Sequence, residues 1–170
     1  MRIGVIADTH GLVRPEALAA LAGSDLIVHA GDVGGPEVLA ALGAIAPVRA
    51  VRGNNDKGAW AARLPERDVV EVGARRLYVL HDVKELELDP AAAGYAAVIA
   101  GHSHRPRNEV VGGVLYFNPG SAGPRRFSLP VTVGRLDAGR RLAATIIDLA
   151  EAFSIFCAEA RNFSGARTIS

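Results

Sequence analysis

Only one cysteine, Cys157, stands in the 170 residues of this chain, so no disulfide can close within it. A reducing, cytoplasmic setting is the expectation that follows. Aromatic residues are scarce as well, at 5% against a hydrophobic share of 49%. The interior must be built largely from Ala, Val and Leu, which suits close packing of helices on sheets. Excess charge of either sign is missing, because 19 basic and 18 acidic residues leave a net charge of +1. With no long basic run, the chain lacks an electrostatic track for extended nucleic acid, though a small nucleotide is still allowed. No stretch approaches the roughly 18 apolar residues of a membrane-spanning helix. The apolar run at the start is too short for the core of a secretory signal. The expectation is a soluble chain with one domain over residues 1–148, followed by a C-terminal helix and tail over 149–170. Within that tail, 149–161 reads as a helix and 162–170 as a frayed end.

What is present is a series of short apolar runs, each closed by a polar cluster. Residues 3–7 run apolar into Asp8-Thr9-His10-Gly11, and 26–30 into Gly31-Asp32. Residues 48–51 end in Arg52-Gly53-Asn54-Asn55-Asp56. Such runs read as strands buried on both faces. Between them, Pro15 and Pro36 stand where helices begin, and 17–21 and 37–42 supply helix formers. Strand and helix alternating in this way predict parallel α/β units, with the working edge at the carboxyl ends of the strands. The second half predicts hairpins: 69–72 with 77–80 about Gly73-Ala74, 108–111 with 114–117 about Gly112-Gly113, and 131–136 with 142–147. A further buried strand, 97–100, ends in Gly101-His102-Ser103-His104. Together these imply two sheets packed face to face with helices outside.

The polar clusters carry the chemistry. Four of the five histidines (His10, His81, His102, His104) lie in them, alongside Asp8, Asp32 and Asn54. Carboxylates, imidazoles and an amide oxygen without thiolate suit Mn²⁺, Fe²⁺, Zn²⁺, Co²⁺ or Ni²⁺ better than Ca²⁺ or Mg²⁺. Seven donors exceed what one such ion takes and match two ions sharing a carboxylate, about 3.5–4 Å apart in sites of this kind. Taken singly, several clusters read as ordinary turns, Gly31-Asp32 and Gly53-Asn54-Asn55-Asp56 above all. Gly-His-Ser-His is the most specific, since histidines two residues apart can both reach one metal cluster. His29, inside an apolar run, reads as a buried, hydrogen-bonded core residue. Arg125 and Arg126 read equally as phosphate binders or solvated surface, and so do Arg105 and Arg107. Trp60 reads as packing before base stacking, and Cys157 as a residue with no catalytic part.

The order Asp-x-His, Gly-Asp, Gly-Asn-x-Asp, lone His, Gly-His-x-His resembles the calcineurin-like metallophosphoesterases, over residues 2–148. Asn118-Pro119-Gly120-Ser121 after a hairpin is similar to the small bacterial and archaeal phosphodiesterase branch. The resemblance implies an α/β fold, a four-layer α/β/β/α sandwich of two mixed β-sheets. It implies one metal on Asp8, His10, Asp32 and His104, and a second on Asp32, Asn54, His81 and His102, with Asp32 bridging. Mn²⁺ comes first among the metals, with Ni²⁺, Zn²⁺, Fe²⁺ and Co²⁺ as alternatives. The implied activity is a phosphodiesterase acting on small diesters by in-line attack of a metal-bridging hydroxide, and self-association is common in the branch. The phosphatases of the superfamily carry His after the motif's Asn to protonate the leaving group; here that residue is Asn55, which favours esters with good leaving groups. The alternatives are a phosphomonoesterase, a non-catalytic protein-binding scaffold of the same fold, as in a retromer subunit, and a phosphate-binding regulator with slow turnover. Seven competent donors argue against the scaffold.

Overall fold

The computed structural model describes residues 1–151. The helix and tail expected beyond 148 lie outside the described residues, apart from a helical start at 149–151, and Cys157 lies outside them too.

Among the described residues, ten strands form two five-stranded sheets. The first contains β1 (Arg2–Ile6), β2 (Leu26–His29), β3 (Val48–Ala50), β9 (Thr132–Ala138) and β10 (Leu142–Asp148), in the order β10-β9-β1-β2-β3. The second contains β4 (Arg67–Val72), β5 (Arg75–Leu80), β6 (Ala97–Ile99), β7 (Arg107–Val111) and β8 (Val114–Asn118), in the order β4-β5-β6-β8-β7. In the first sheet β1, β2 and β3 run parallel, and in the second β5, β6 and β8 do. β9 pairs antiparallel with β1, and β4-β5, β7-β8 and β9-β10 are antiparallel hairpins. Parallel strands deliver their carboxyl ends to one edge of a sheet, so the polar clusters that follow β1, β2, β3, β5 and β6 meet there.

Alternation along each strand decides what faces what. Ile3, Val5, Val28 and Leu136 of the first sheet meet Leu77, Val79, Ile99 and Phe117 of the second in one buried core. The opposite face of the first sheet, with Ile6, Ile27 and Val133, packs on α1 (Pro15–Leu21) and α2 (Pro36–Gly43). Each helix opens on a proline, whose fixed φ suits the first helical position. Val38 and Leu42, four apart on one face of α2, are buried, and each contributes about 1.5–3 kcal/mol. Gly4 lets α1 press onto β1: a Cβ there would lie 2.6 Å from Leu21 Cδ2 and 2.9 Å from Ser24 Oγ.

The architecture is the expected α/β arrangement of two mixed sheets. Its fourth layer is thin. Tyr78, Leu80, Val98 and Val114 on the outer face of the second sheet are covered by Val83, Leu86, Leu88 and Tyr95. Among the described residues that segment contains a single 3-10 turn, Val83–Glu85, and no α-helix. Asp89 accepts from the backbone N–H groups of Ala91 and Ala92, and Pro90 and Gly94 bracket the turn that follows. That chemistry favours turns over a continuous helix. No helix among the described residues is long and apolar enough to cross a membrane.

Candidate metal centre

The strand ends turn sharply into the site. Asp8, His10, Asp32, His102 and His104 all adopt positive φ, between 48° and 64°. They are five of the six non-glycine residues in that region among the described residues. Left-handed backbone costs of order 1–3 kcal/mol per non-glycine residue, so its concentration here marks a functional constraint. Hydrogen bonds hold the turns together: His10 N donates to Asp32 O at 2.9 Å, and Gly11 N to Val33 O at 2.8 Å.

All seven candidate residues come together in two lobes. In one, His10 and His104 face each other with their Nε2 atoms 3.4 Å apart, and His104 Nε2 lies 3.4 Å from Asp8 Oδ1. In the other, Asn54 Oδ1 lies 3.0 Å from His81 Nε2 and 3.1 Å from His102 Nδ1. Asp32 stands between them, its Oδ2 3.9 Å from His10 Nε2 and 3.4 Å from His81 Nε2. Two sets of three donors could each converge on an ion, Asp8-His10-His104 and Asp8-Asp32-His81. Asp8 therefore reaches toward both lobes, as Asp32 does.

The electrostatics follow from burial. Burial pushes the Asp8 carboxyl up to about 7, with the neighbouring Asp32 charge adding to the rise against His81 and Arg126. Burial acts the same way on Asp32, but hydrogen bonds from His81 and Asn55 outweigh it and hold that carboxylate ionised. Burial and the Arg126 cation lower His104 to about 4, and burial also lowers His10. His81 resists its burial: hydrogen bonds to Asp32 and to the Ala30 carbonyl hold its imidazole above the ordinary value. Asp8 Oδ2 is buried with no hydrogen-bond partner among the described residues. An unpartnered carboxylate oxygen beside inward-turned imidazole nitrogens is what a divalent cation would satisfy, so the residues fit metal ions.

Several supporting residues have roles that residue type alone did not reveal. Asn55 donates to both oxygens of Asp32, from its backbone N to Oδ1 at 2.8 Å and from Nδ2 to Oδ2 at 2.6 Å. Asp56, the motif's closing Asp, ligates nothing in the expected scheme; it accepts from the backbone of Val33, Gly34 and Gly53, tying two site loops together. Asn118 donates to Gly101 O, and Ser121 Oγ to Asp8 O. His29 is fully buried, as expected of a core histidine, and burial lowers it to about 3. Its Nδ1 accepts from Gly31 N at 3.2 Å, and its Nε2 lies 2.9 Å from Thr9 Oγ1. Thr9 Oγ1 donates to Val33 O, so His29 carries its proton on Nε2 and joins the Asp8 and Asp32 loops. Of the arginines, Arg126 reaches the site, with Nη2 3.4 Å from His10 Nε2. Arg125 bonds to Leu129 O, and Arg107 pairs with Glu109. Trp60 packs against the helix-side core. Replacing Asn55 by Ala should weaken Mn²⁺ binding about 10- to 100-fold, the usual effect of removing a group that orients a ligand. Calorimetric titration against the parent checks this.

A buried pair of carboxylates facing four imidazoles, at the shared edge of two mixed sheets, defines a metal-binding α/β protein. The chain belongs to the calcineurin-like phosphoesterase superfamily, whose domain model matches residues 1–141. It is thus a metal-dependent hydrolase of phosphoric esters. It is 35% identical over 160 residues to a "Probable metallophosphoesterase" of Methanothermobacter thermautotrophicus, covering 86% of this chain and 92% of that one. Among solved structures it is similar to Yfce, a phosphoesterase from E. coli, at TM-score 0.72 and 27% identity, over 89% and 95% of the two chains. An archaeal phosphodiesterase shares the fold at TM-score 0.73 and 24% identity, over 86% and 100%. Vps29 of Chaetomium thermophilum shares it at TM-score 0.72 and 19% identity, over 86% and 97%.

Proposed function

We propose that this protein is a phosphodiesterase that holds two divalent ions, Mn²⁺ first. Asp8, His10, Asp32 and His104 hold one, and Asp32, Asn54, His81 and His102 the other. The observation that carries this reading is the two-lobed arrangement of donors about Asp32, with Asp8 Oδ2 buried and unpartnered. Ions held there supply Lewis acidity, which makes water reactive near neutral pH and neutralises phosphoryl charge. The protein's own groups hold and orient. Asn55 fixes Asp32, His29 fixes Thr9 between Asp8 and His10, and Arg126 adds a cation on the His10 side. The Asn55 amide is committed to Asp32 and is no acid, which favours esters whose leaving group needs no proton.

Diesters are favoured over monoesters by groups that could take an ester arm on each side of the centre. Arg126 stands on the His10 side, and beyond Asn54 and His102 lies a cavity of about 410 Å³ lined also by Arg52, Lys57 and Asp82. A phosphate at the centre can direct one ester arm to each. The likeness to Vps29 is one of fold, and the complete donor set supports an enzyme over a scaffold.

Metal-reconstituted protein should hydrolyse an activated diester faster than the matching monoester, and His104→Ala should lower both rates at least about 100-fold. Equal rates in His104→Ala and the parent would remove the reading. Metal binding should also release protons. A carboxyl must ionise to ligate, and in the metal-free pocket Asp8 titrates near 7. Below that value a proton must leave before a cation binds, and the raised His81 acts in the same direction. Mn²⁺ affinity should therefore climb with pH through the range around 7 in which Asp8 loses its proton. Calorimetry in buffers of different ionisation enthalpy counts the protons. Affinity independent of pH below 7 would contradict the burial of Asp8 as its cause.

A further inference from the structure

At the rim of the centre the chain makes a turn that its sequence does not suit. Residues 126–129 close a β-turn, with Leu129 N donating to Arg126 O at 3.1 Å. Phe127 occupies its second position at φ 53°. Turns with positive φ there favour Gly, Asn or Asp, and a bulky residue is strained. Phe127 is also 95% exposed, the most exposed of the large hydrophobic residues among those described. Its ring thus packs against nothing that would offset either the strain or the contact with water.

The turn is fixed to the site and not free of it. Arg14, which follows the Asp8-Thr9-His10 loop, donates from Nε to Ala122 O at 3.1 Å and from Nη2 to Gly123 O at 3.0 Å. Gly123 abuts the same loop so closely that a Cβ there would lie 2.2 Å from Asp8 O. Arg125 Nε closes the turn on Leu129 O at 3.3 Å. The neighbour of Phe127, Arg126, lies 3.4 Å from His10 Nε2. A charged group at the centre and, next in the chain, a bare aromatic side chain thus follow a segment held against the first metal loop.

We propose that Arg126 and Phe127 form a substrate subsite, in which the guanidinium binds a non-reacting phosphoryl oxygen and the Phe127 ring stacks on a planar ester arm. The ligand class is a phosphate ester of a nucleoside or another flat aromatic group. This inference rests on the proposed centre and names which arm it takes on the His10 side. A guanidinium matches phosphate oxygens in charge and hydrogen-bond geometry. An aromatic face accepts any base, because every base presents a π-surface.

Binding, measured apart from turnover, tests it. Mn²⁺-loaded protein is titrated calorimetrically with adenosine 5′-monophosphate and with ribose 5-phosphate, which carries a hydroxyl in place of the base. The parent should bind the nucleotide roughly tenfold more tightly. Phe127→Ala should erase that difference and Phe127→Trp should keep it. Arg126→Ala should weaken both ligands while preserving their ratio. Equal affinities in the parent, or an unchanged ratio in Phe127→Ala, would overturn the proposal. Hydrolysis of bis(p-nitrophenyl) phosphate by the same preparations separates the two readings. Turnover without a base preference sinks the subsite alone; no turnover and no binding removes the centre and the subsite with it. Should sedimentation show the parent associating and Phe127→Ala dissociating, with no base preference in either, Phe127 is a contact between copies and the proposal is wrong.

Discussion

Replacing Asp32 by Asn lowers metal-dependent ester hydrolysis by roughly a thousandfold or more. Asp32 is buried at 2% exposure and sits between the two lobes of donors. The change removes its negative charge, which the site holds ionised against burial through hydrogen bonds from His81 and Asn55. It also puts an amide NH₂ where Asn55 N and Nδ2 already donate to both oxygens. One of those donors must then face another donor and lose its partner. The expected result is little bound Mn²⁺ and a folded protein, read from metal content, thermal unfolding and kcat/KM together. Parent-like turnover with a full complement of metal would show that Asp32 is not shared between ions.

Gly53→Ala, which changes no charge, should be nearly as damaging for a steric reason. A Cβ at Gly53 would lie 2.1 Å from Asp32 N and 2.2 Å from Asp32 Oδ1. No rotamer relieves this, because both the added atom and the Asp32 nitrogen belong to fixed backbone geometry. The loop carrying Asn54 and Asn55 must withdraw from Asp32, and the 2.8 Å bond from Gly53 N to Asp56 Oδ2 is strained with it. Overpacking of this kind costs about 1–3 kcal/mol, and a displacement of about 1 Å at a reacting centre lowers turnover about 100-fold. Gly43→Ala is the control, since nothing lies within 4 Å of its added Cβ at the end of α2. That variant should gain roughly 0.5–1 kcal/mol with activity unchanged. Similar unfolding midpoints and rates for the two variants would mean the contact between the Gly53 and Asp32 loops is not tight.

How far the sequence could be read depended on the range of the interaction. The strands after which the clusters fall were legible because each is a short apolar run ending in polar residues. His29 was legible for the same reason, lying inside such a run. The convergence of Asp8, His10, Asp32, Asn54, His81, His102 and His104 was an expectation from strand ends meeting at one edge, and the parallel order of β1-β2-β3 and of β5-β6-β8 is the physical cause of that meeting.

Other features depend on side-chain direction, which composition does not encode. Asn55 stood out only as the place of an absent histidine; its bond to Asp32 spans 23 residues of chain. Ser121 holds Asp8 O across 113 residues; its motif carried a resemblance, and the pairing with Asp8 depends on the fold. The left-handed backbone at the strand ends is invisible where Asp and His stand in place of Gly. The thin outer layer over the second sheet was missed because the resemblance implied helices there, while Asp89-Pro90 and Gly94 set turns instead. Arg125 and Arg126 were indistinguishable by type, and the Arg14 clamp on Gly123 is what accompanies Arg126 at the site.

Anomalous scattering from a crystal grown with Mn²⁺ should show whether two ions share Asp32. Two manganese peaks are expected, one bounded by Asp8, His10 and His104, the other by Asn54, His81 and His102, with Asp32 touching both. A single peak touching only one lobe, or no peak among these side chains, would contradict it.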